Sequence, residues 1–302
     1  MGFHSTKIIS PKVLIPFFRK IINEKRINKS ILSHWKSIDI QPKDRIVFFA
    51  HFDEKNEIKP YVIYYLQRIF ELDCNIVFIS TVEKLPVIEI EKIKPFCISI
   101  ISKKNIGLDF GSWKTGMHLF NKTLSNYKSI IFANDSCFAP AFDLEPIFED
   151  FKNNLNQISG ITFSHESHRK PHLQSYFLWI NNTSNNIKFI SDFFSKVKFL
   201  KNKRKIIKKY EVGFTQKAIS KSIKINQWVN NAEFENDYNL KNQNHTIENA
   251  ALLLLKRKSP FIKCAIFKDA NYKEAQNSIL NYLNNNNLEL YNIIAKQYPN
   301  QN

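Results

Sequence analysis

Short apolar runs separated by stretches of helical periodicity dominate the first half of the chain. Residues 45–51 (RIVFFAH) and 74–80 (CNIVFIS) are continuous apolar runs, the pattern of strands buried on both faces. Between them, residues 61–72 (YVIYYLQRIFEL) repeat their apolar positions at helical spacing, so the three segments predict a βαβ unit. Residues 96–101 predict a third strand, 113–124 the next helix, and 129–133 (SIIFA) a strand that ends at Asn134-Asp135-Ser136. Further strands are expected over 160–164 and 174–180, and a helix over 187–197. Strands alternating with helices predict an α/β fold whose central sheet is mostly parallel and flanked by helices. Ligands bind such sheets beyond the carboxyl ends of the strands.

The two ends follow other patterns. Residues 1–40 alternate basic and apolar positions, and Pro11 and Pro16 precede a basic amphipathic helix expected over 17–35. That pattern fits packing on the core and contact with an anionic membrane surface equally. Residues 277–302 predict a helix with a frayed end. The resulting division is an N-terminal extension over 1–40, a main domain over 41–270, and a C-terminal helix and tail over 271–302. There is no internal repeat, no apolar run of 18 residues and no signal-peptide pattern, so a cytoplasmic protein is expected.

Composition sharpens this picture at two points. Only 6 glycines occur in 302 residues, where average usage gives roughly 20, and three of them, Gly107, Gly111 and Gly116, fall within one short segment. Lys and Arg outnumber Asp and Glu by 44 to 27, a net charge of +17, which points to anionic partners: nucleic acid, lipid headgroups or phosphorylated substrates. The 4 cysteines lack metal-ligand spacing, so buried free thiols are expected, with neither disulfides nor zinc.

Four segments carry candidate chemistry. Residues 105–114 (NIGLDFGSWK) follow a strand and open a helix; Gly107 and Gly111 suit close approach to a phosphate-bearing ligand or simply a tight turn, and Asp109 suits a ribose or a helix cap. Residues 132–140 (FANDSCFAP) set Asn134, Asp135 and Ser136 at a strand exit, where oxygen ligands can meet a divalent cation or form an Asx turn. Strand alternation would place His172, Gln174 and Tyr176 on one face and Ser175 on the other, a face suited to sugar hydroxyls. In YEVGFT, Tyr210 and Glu211 precede a helix, and Glu211 suits a general base as well as a helix-dipole partner.

Taken together, GLDFGSWK at 107–114, ANDSCFAP at 133–140, HLQSYF at 172–177, YEVGFT at 210–215 and NHTIENAALLLLKRKSPFIK at 244–263 are similar in order and spacing to the rhamnan synthesis F family of bacterial polysaccharide glycosyltransferases. The opening RIVFFAHFD and YVIYYLQRI resemble the family's start, and the resemblance spans about residues 44–265. Leu108 stands where the family has an aromatic residue, and Ala139 where it has Gly. The resemblance implies a GT-A-like, Rossmann-related fold and transfer of a sugar, rhamnose by the family's name, from a nucleotide sugar to a growing cell-surface polysaccharide. It puts a Mg²⁺ or Mn²⁺ ion on Asp135 and Asn134, the donor along Gly107, Asp109, Gly111, Lys114, Asn134 and Ser136, and the sugar and acceptor along His172, Gln174, Ser175, Tyr176 and Tyr210. Glu211 is then the expected base of a single, inverting displacement, with Lys114, Arg169 and Lys170 facing the leaving charge. An acceptor on a polyprenyl diphosphate, with peripheral contact at the inner face of an anionic membrane, would give the positive charge a role.

Two other classes compete. A basic nucleic-acid-binding protein suits the charge, but the aromatics lie in apolar strand runs instead of interleaving with Lys and Arg, so no nucleic-acid partner is expected. A non-catalytic transferase-like partner fits a motif that holds one carboxylate.

Overall fold

The computed structural model describes residues 24–82 and 84–299. Its strands are β1 (Ile31–Lys36), β2 (Arg45–His51), β3 (Cys74–Ser80), β4 (Cys97–Lys103), β5 (Ser129–Asn134), β6 (Cys137–Phe138), β7 (Gln157–Gly160), β8 (Phe163–Ser164), β9 (His172–Leu173), β10 (Phe177–Asn181), β11 (Lys224–Gln227) and β12 (Ile262–Lys263). Eight form the central sheet in the order β1-β4-β3-β2-β5-β10-β7-β11. The four strands of its middle, β4-β3-β2-β5, are mutually parallel, β11 runs parallel to β7, and β1 and β10 are antiparallel to their neighbours. The expected α/β class, with a mostly parallel sheet between helices, is the observed one.

The apolar runs explain why the middle of the sheet is parallel. Alternate residues of β2 enter different cores: Val47 and Phe49 pack with the helix Pro60–Glu71 on one side, and Ile46, Phe48 and Ala50 with the helices Leu108–Leu119 and Ser184–Lys196 on the other. Every residue from Ile46 to Ala50 is at most 1% exposed, as expected for a strand covered on both faces.

The glycine cluster is accounted for by close packing. Gly107 has φ +87°, a conformation that costs glycine little, and its N–H donates to Leu200 O at 2.8 Å. A Cβ on Gly111 would lie 2.6 Å from Ile106 O, and one on Gly116 would lie 2.4 Å from Phe48 Cδ1 where the helix crosses β2. Gly111→Ala is therefore expected to lower stability by about 1–3 kcal/mol, because the clash is with backbone that cannot swing away. Urea unfolding with an unchanged m-value would measure it; a loss within experimental error would contradict the close approach.

Several expected boundaries move. Where a helix was expected up to residue 35, residues 24–30 are helical and β1 then pairs with β4, so hydrogen bonding at the sheet edge overrides the amphipathic pattern; residues 1–23 lie outside the described residues. The helix expected from 113 begins at Leu108. The strand expected over 160–164 breaks into β7 and β8, and that over 174–180 starts only at Phe177, after a turn at 175–176. The tail is two helices, Lys273–Asn286 and Leu288–Gln297, separated at Asn287, whose side chain caps the second by accepting from Leu290 N at 3.1 Å. Leu280, Leu283, Leu290 and Ile294 pack into the core, so this segment is docked; residues 300–302, at the end expected to fray, lie outside the described residues. All four cysteines are free and buried. Among the described residues no helix is long and apolar enough to cross a membrane.

Candidate active site

The chain runs from β2 outward to β3 and β4, then returns to place β5 on the other side of β2. The strand order therefore reverses between β2 and β5, and the carboxyl ends of these two strands flank the crevice where open α/β sheets bind ligands. His51 ends β2 and Asn134 ends β5. Asp135 follows directly and is held across the boundary. Its Oδ2 accepts from Phe52 N at 2.8 Å, its own N–H donates to Ala50 O at 3.3 Å, and Tyr61 Oη donates to its carbonyl at 3.0 Å. The carboxylate still keeps 16% of its side-chain surface open.

Asp109, in the first turn of the helix Leu108–Leu119, reaches the same place: its Oδ2 accepts from Asn134 Nδ2 at 2.9 Å. Asn134 Oδ1 in turn accepts from Ser136 N at 3.1 Å and from Ser136 Oγ at 2.6 Å. Asn134 is thus committed on both sides of its amide. It orients Asp109 and Ser136, and Asp109 comes near enough for its charge to raise the pKa of Asp135.

The electrostatics of the pair are unusual. Burial pushes Asp135 up to about 7, and the charges of Asp109 and Asp53 add to that rise. Burial also pushes Asp109 up to about 6, with Glu211 adding to the rise and Asn134 opposing it. His51 Nε2 lies 3.9 Å from Asp135 Oδ2, but burial lowers its pKa to about 4, so at neutral pH it is uncharged and offsets nothing. A pair of carboxylates held against burial and mutual repulsion is a common mark of a functional site. Among the described residues no three His, Cys, Asp or Glu side chains form a group that could hold a metal unaided.

Glu211 and Ser175 are also brought together. A π-helical turn, Ile207–Glu211, precedes the helix Val212–Ser220 and carries Glu211, whose Oε1 accepts from both Ser175 N and Ser175 Oγ at 2.9 Å. Single π turns inside helices recur at functional sites.

The remaining sequence candidates are engaged elsewhere. Lys114 is buried and donates to Val197 O at 2.5 Å and Ser195 O at 3.4 Å, closing the end of the helix Ser184–Lys196. The Gly111 N–H donates to Gly107 O at 2.9 Å and the Gly107 N–H to Leu200 O at 2.8 Å, so both amides are used within the chain. Tyr210 Oη accepts from Lys198 N at 2.7 Å and donates to Lys198 O at 3.2 Å. His172 Nδ1 bonds Lys170 O at 2.9 Å. Gln174 accepts from Thr162 Oγ1 at 2.7 Å and donates to Thr246 Oγ1 at 3.1 Å, and Tyr176 Oη shares a 2.7 Å bond with the same Thr162 hydroxyl. The turn at 175–176 interrupts the expected strand, yet Gln174 and Tyr176 still meet at the Thr162 hydroxyl, while His172 bonds its own segment at Lys170 O. Arg169 is paired with Glu166 at 2.8 Å, and Lys170 is exposed.

Sequence reasoning missed His51, Asp53, Tyr61 and Lys263 as members of this neighbourhood. Lys263 Nζ donates to Ser136 Oγ at 3.1 Å across 127 residues of sequence, a separation that no local spacing rule spans.

Comparison with known proteins agrees with the sequence resemblance. The chain is 27% identical over 132 residues to uncharacterized protein y4gN of Sinorhizobium fredii (strain NBRC 101917 / NGR234), a stretch covering 41% of this chain and 33% of that protein. It thus spans about a third of the length of the curated relative it matches. Among solved structures, the glycosyltransferase GlyE of Streptococcus pneumoniae TIGR4 is similar at TM-score 0.36 and 15% identity, over 66% of this chain and 49% of GlyE. A Desulfovibrio desulfuricans G20 protein assigned as a nucleotide-diphospho-sugar transferase is similar at TM-score 0.37 and 12% identity, over 80% of this chain and 98% of that one. Scores this low describe a distant likeness only. Residues 76–301, about three quarters of the chain, fit the model of rhamnan synthesis protein F, and the chain belongs to that family.

Proposed function

We propose that this protein is a GT-A-like glycosyltransferase that moves a sugar, rhamnose by the family's name, from a nucleotide-sugar donor to a cell-surface polysaccharide. The observation that carries the proposal is the carboxylate pair Asp109 and Asp135 at the point where the strand order reverses, fixed by Asn134 and by backbone from β2. The pair fits a divalent cation. It offers hard oxygen donors and carries negative charge that neutral His51 leaves uncompensated. Mg²⁺ in particular binds through one or two carboxylates and completes its shell with water and substrate phosphates, so a larger protein ligand set is not required. When bound, Mg²⁺ or Mn²⁺ would offset the charge of the donor diphosphate.

In this reading Asp109 and Asp135 receive the cation, Ser136 lies beside the diphosphate, and Glu211 with Ser175 faces the acceptor. Glu211 takes the acceptor proton, and a single displacement inverts the anomeric centre. The exposed basic run Lys201, Lys203, Arg204, Lys205, Lys208 and Lys209 leads up to Glu211 and suits an acceptor on a polyprenyl diphosphate at an anionic membrane surface.

Thermal unfolding against UDP-, dTDP- and GDP-sugars, with and without Mg²⁺ or Mn²⁺, tests the proposal, since a ligand of the native state raises Tm. One donor class is expected to raise Tm only when the cation is present. If no nucleotide sugar shifts Tm while duplex DNA does, the transferase reading is overturned in favour of nucleic-acid binding.

A further inference from the structure

The segment 259–264 (SPFIKC) is far from the crevice in sequence but stitched to its rim. β12 pairs antiparallel with β6, setting Lys263 opposite Cys137, while Cys264 N donates to Ser136 O at 3.0 Å and Ala141 N to Pro260 O at 2.8 Å. Lys263 is half-buried there. Its ammonium donates to Ser136 Oγ at 3.1 Å and stands 4.3 Å from the centroid of the Tyr176 ring. Both contacts are rigid: the Ser136 hydroxyl is fixed by Asn134, and the Tyr176 hydroxyl by Thr162 beneath it.

Lys263 also lacks a carboxylate partner. Among the described residues no carboxylate lies within ion-pair distance of its Nζ, although its positive charge reaches Asp109. A hydroxyl and a ring face do not neutralise a partly desolvated ammonium, so the arrangement has room for an anion. Of the cations expected from sequence, Lys114 is committed to carbonyls and Arg169 to Glu166, while Lys170 is exposed to solvent that screens it. Lys203 also reaches Asp109 electrostatically, but from an exposed position where water screens it.

Resting on the transferase reading, we propose that Lys263 is the catalytic cation that contacts the leaving nucleoside diphosphate. In the displacement the bond between the anomeric carbon and the β-phosphate oxygen breaks, and its electron pair stays on that oxygen. The acceptor oxygen forms the new bond, and its proton passes to the base. The negative charge therefore grows on the diphosphate, where a cation held by Asp109 and Asp135 would offset part of it. An ammonium preset beside Ser136 is positioned to meet it without reorganising in the transition state.

Lys263→Met and Lys263→Arg, checked for native unfolding behaviour, test the assignment. Lys263→Met is expected to lower kcat by about 100-fold, the scale of losing one preorganised charge contact. It should weaken calorimetric binding of UDP, dTDP or GDP, whichever the wild type binds, while leaving the matching phosphate-free nucleoside unaffected. Lys263→Arg, which keeps the charge, should recover most of the nucleoside-diphosphate affinity even if the Met variant fails to fold. With a glycosyl fluoride donor, whose leaving group is not a diphosphate, the deficit of Lys263→Met should largely vanish. If the wild type transfers sugar and Lys263→Met matches it in kcat and diphosphate affinity, or loses equally on the fluoride, this assignment falls and the transferase reading stands. If the wild type binds no nucleotide at all, both fall together.

Discussion

Asp135→Asn is expected to cut sugar transfer by about a thousandfold, since it removes one of the two carboxylates proposed to hold the cation. Folding should survive: the Asn carbonyl can still accept from Phe52 N, and the backbone bond to Ala50 O is untouched. The same substitution should change how stability depends on pH, and the sign follows from the raised pKa values. Asp135 and Asp109 titrate at about 7 and about 6 in the folded protein, against 3.8 for an unperturbed aspartate. Between those limits the folded state binds more protons than the unfolded state, so stability falls as pH rises from about 4 to about 7. Asp135→Asn removes the larger part of that loss. Its Tm should exceed the wild-type value at pH 8, and the two should converge near pH 4. Mg²⁺ should stabilise the wild type more at pH 8 than at pH 5, because protons compete for the same oxygens, and should not stabilise the variant. Calorimetric melts over this pH range, paired with transfer assays, check both halves. Full activity in a folded variant would remove Asp135 from the mechanism.

Phe132→Ala is expected to cost about 3–5 kcal/mol, a large share of the ~5–15 kcal/mol that stabilises a folded domain. Phe132 is 0% exposed in the strand that delivers Asn134 and Asp135. Its ring centroid lies 5.0 Å from that of Phe194, 5.3 Å from Trp113 and 5.8 Å from Phe48, so it joins the sheet to both helices that cover this face. Truncation leaves a cavity between three elements that cannot all collapse inward, because each is also anchored elsewhere; Trp113, for example, donates to Ala133 O at 3.1 Å. Urea denaturation compared with Phe52→Ala, whose ring is at a residue 48% exposed, would separate packing from the mere loss of an aromatic group. A cost no larger than that of Phe52→Ala would mean that this core tolerates the void.

Local reading failed wherever hydrogen bonds between distant segments decided the outcome. Lys114 has the charge and position in sequence of a phosphate ligand, yet two carbonyls around residue 196 claim it. Asn134 reads as a metal ligand beside Asp135, but Asp109 and Ser136 occupy both ends of its amide. His172, Gln174 and Tyr176 read as one polar face of a strand, but a turn at 175–176 replaces that strand, and Gln174 and Tyr176 meet instead at the Thr162 hydroxyl.

By itself the sequence determined the α/β class, the central strands and the motifs at their carboxyl ends, because continuous apolar runs and helical periodicity record burial on two faces and on one. The tertiary structure alone decided that Asp109 stands beside Asp135, that Glu211 meets Ser175, and that Lys263 reaches Ser136. These groups converge because β5 crosses to the far side of β2 and the late segment 259–264 folds back onto its exit. Strand order and chain return are set by the packing of the whole sheet, and no window of sequence contains them.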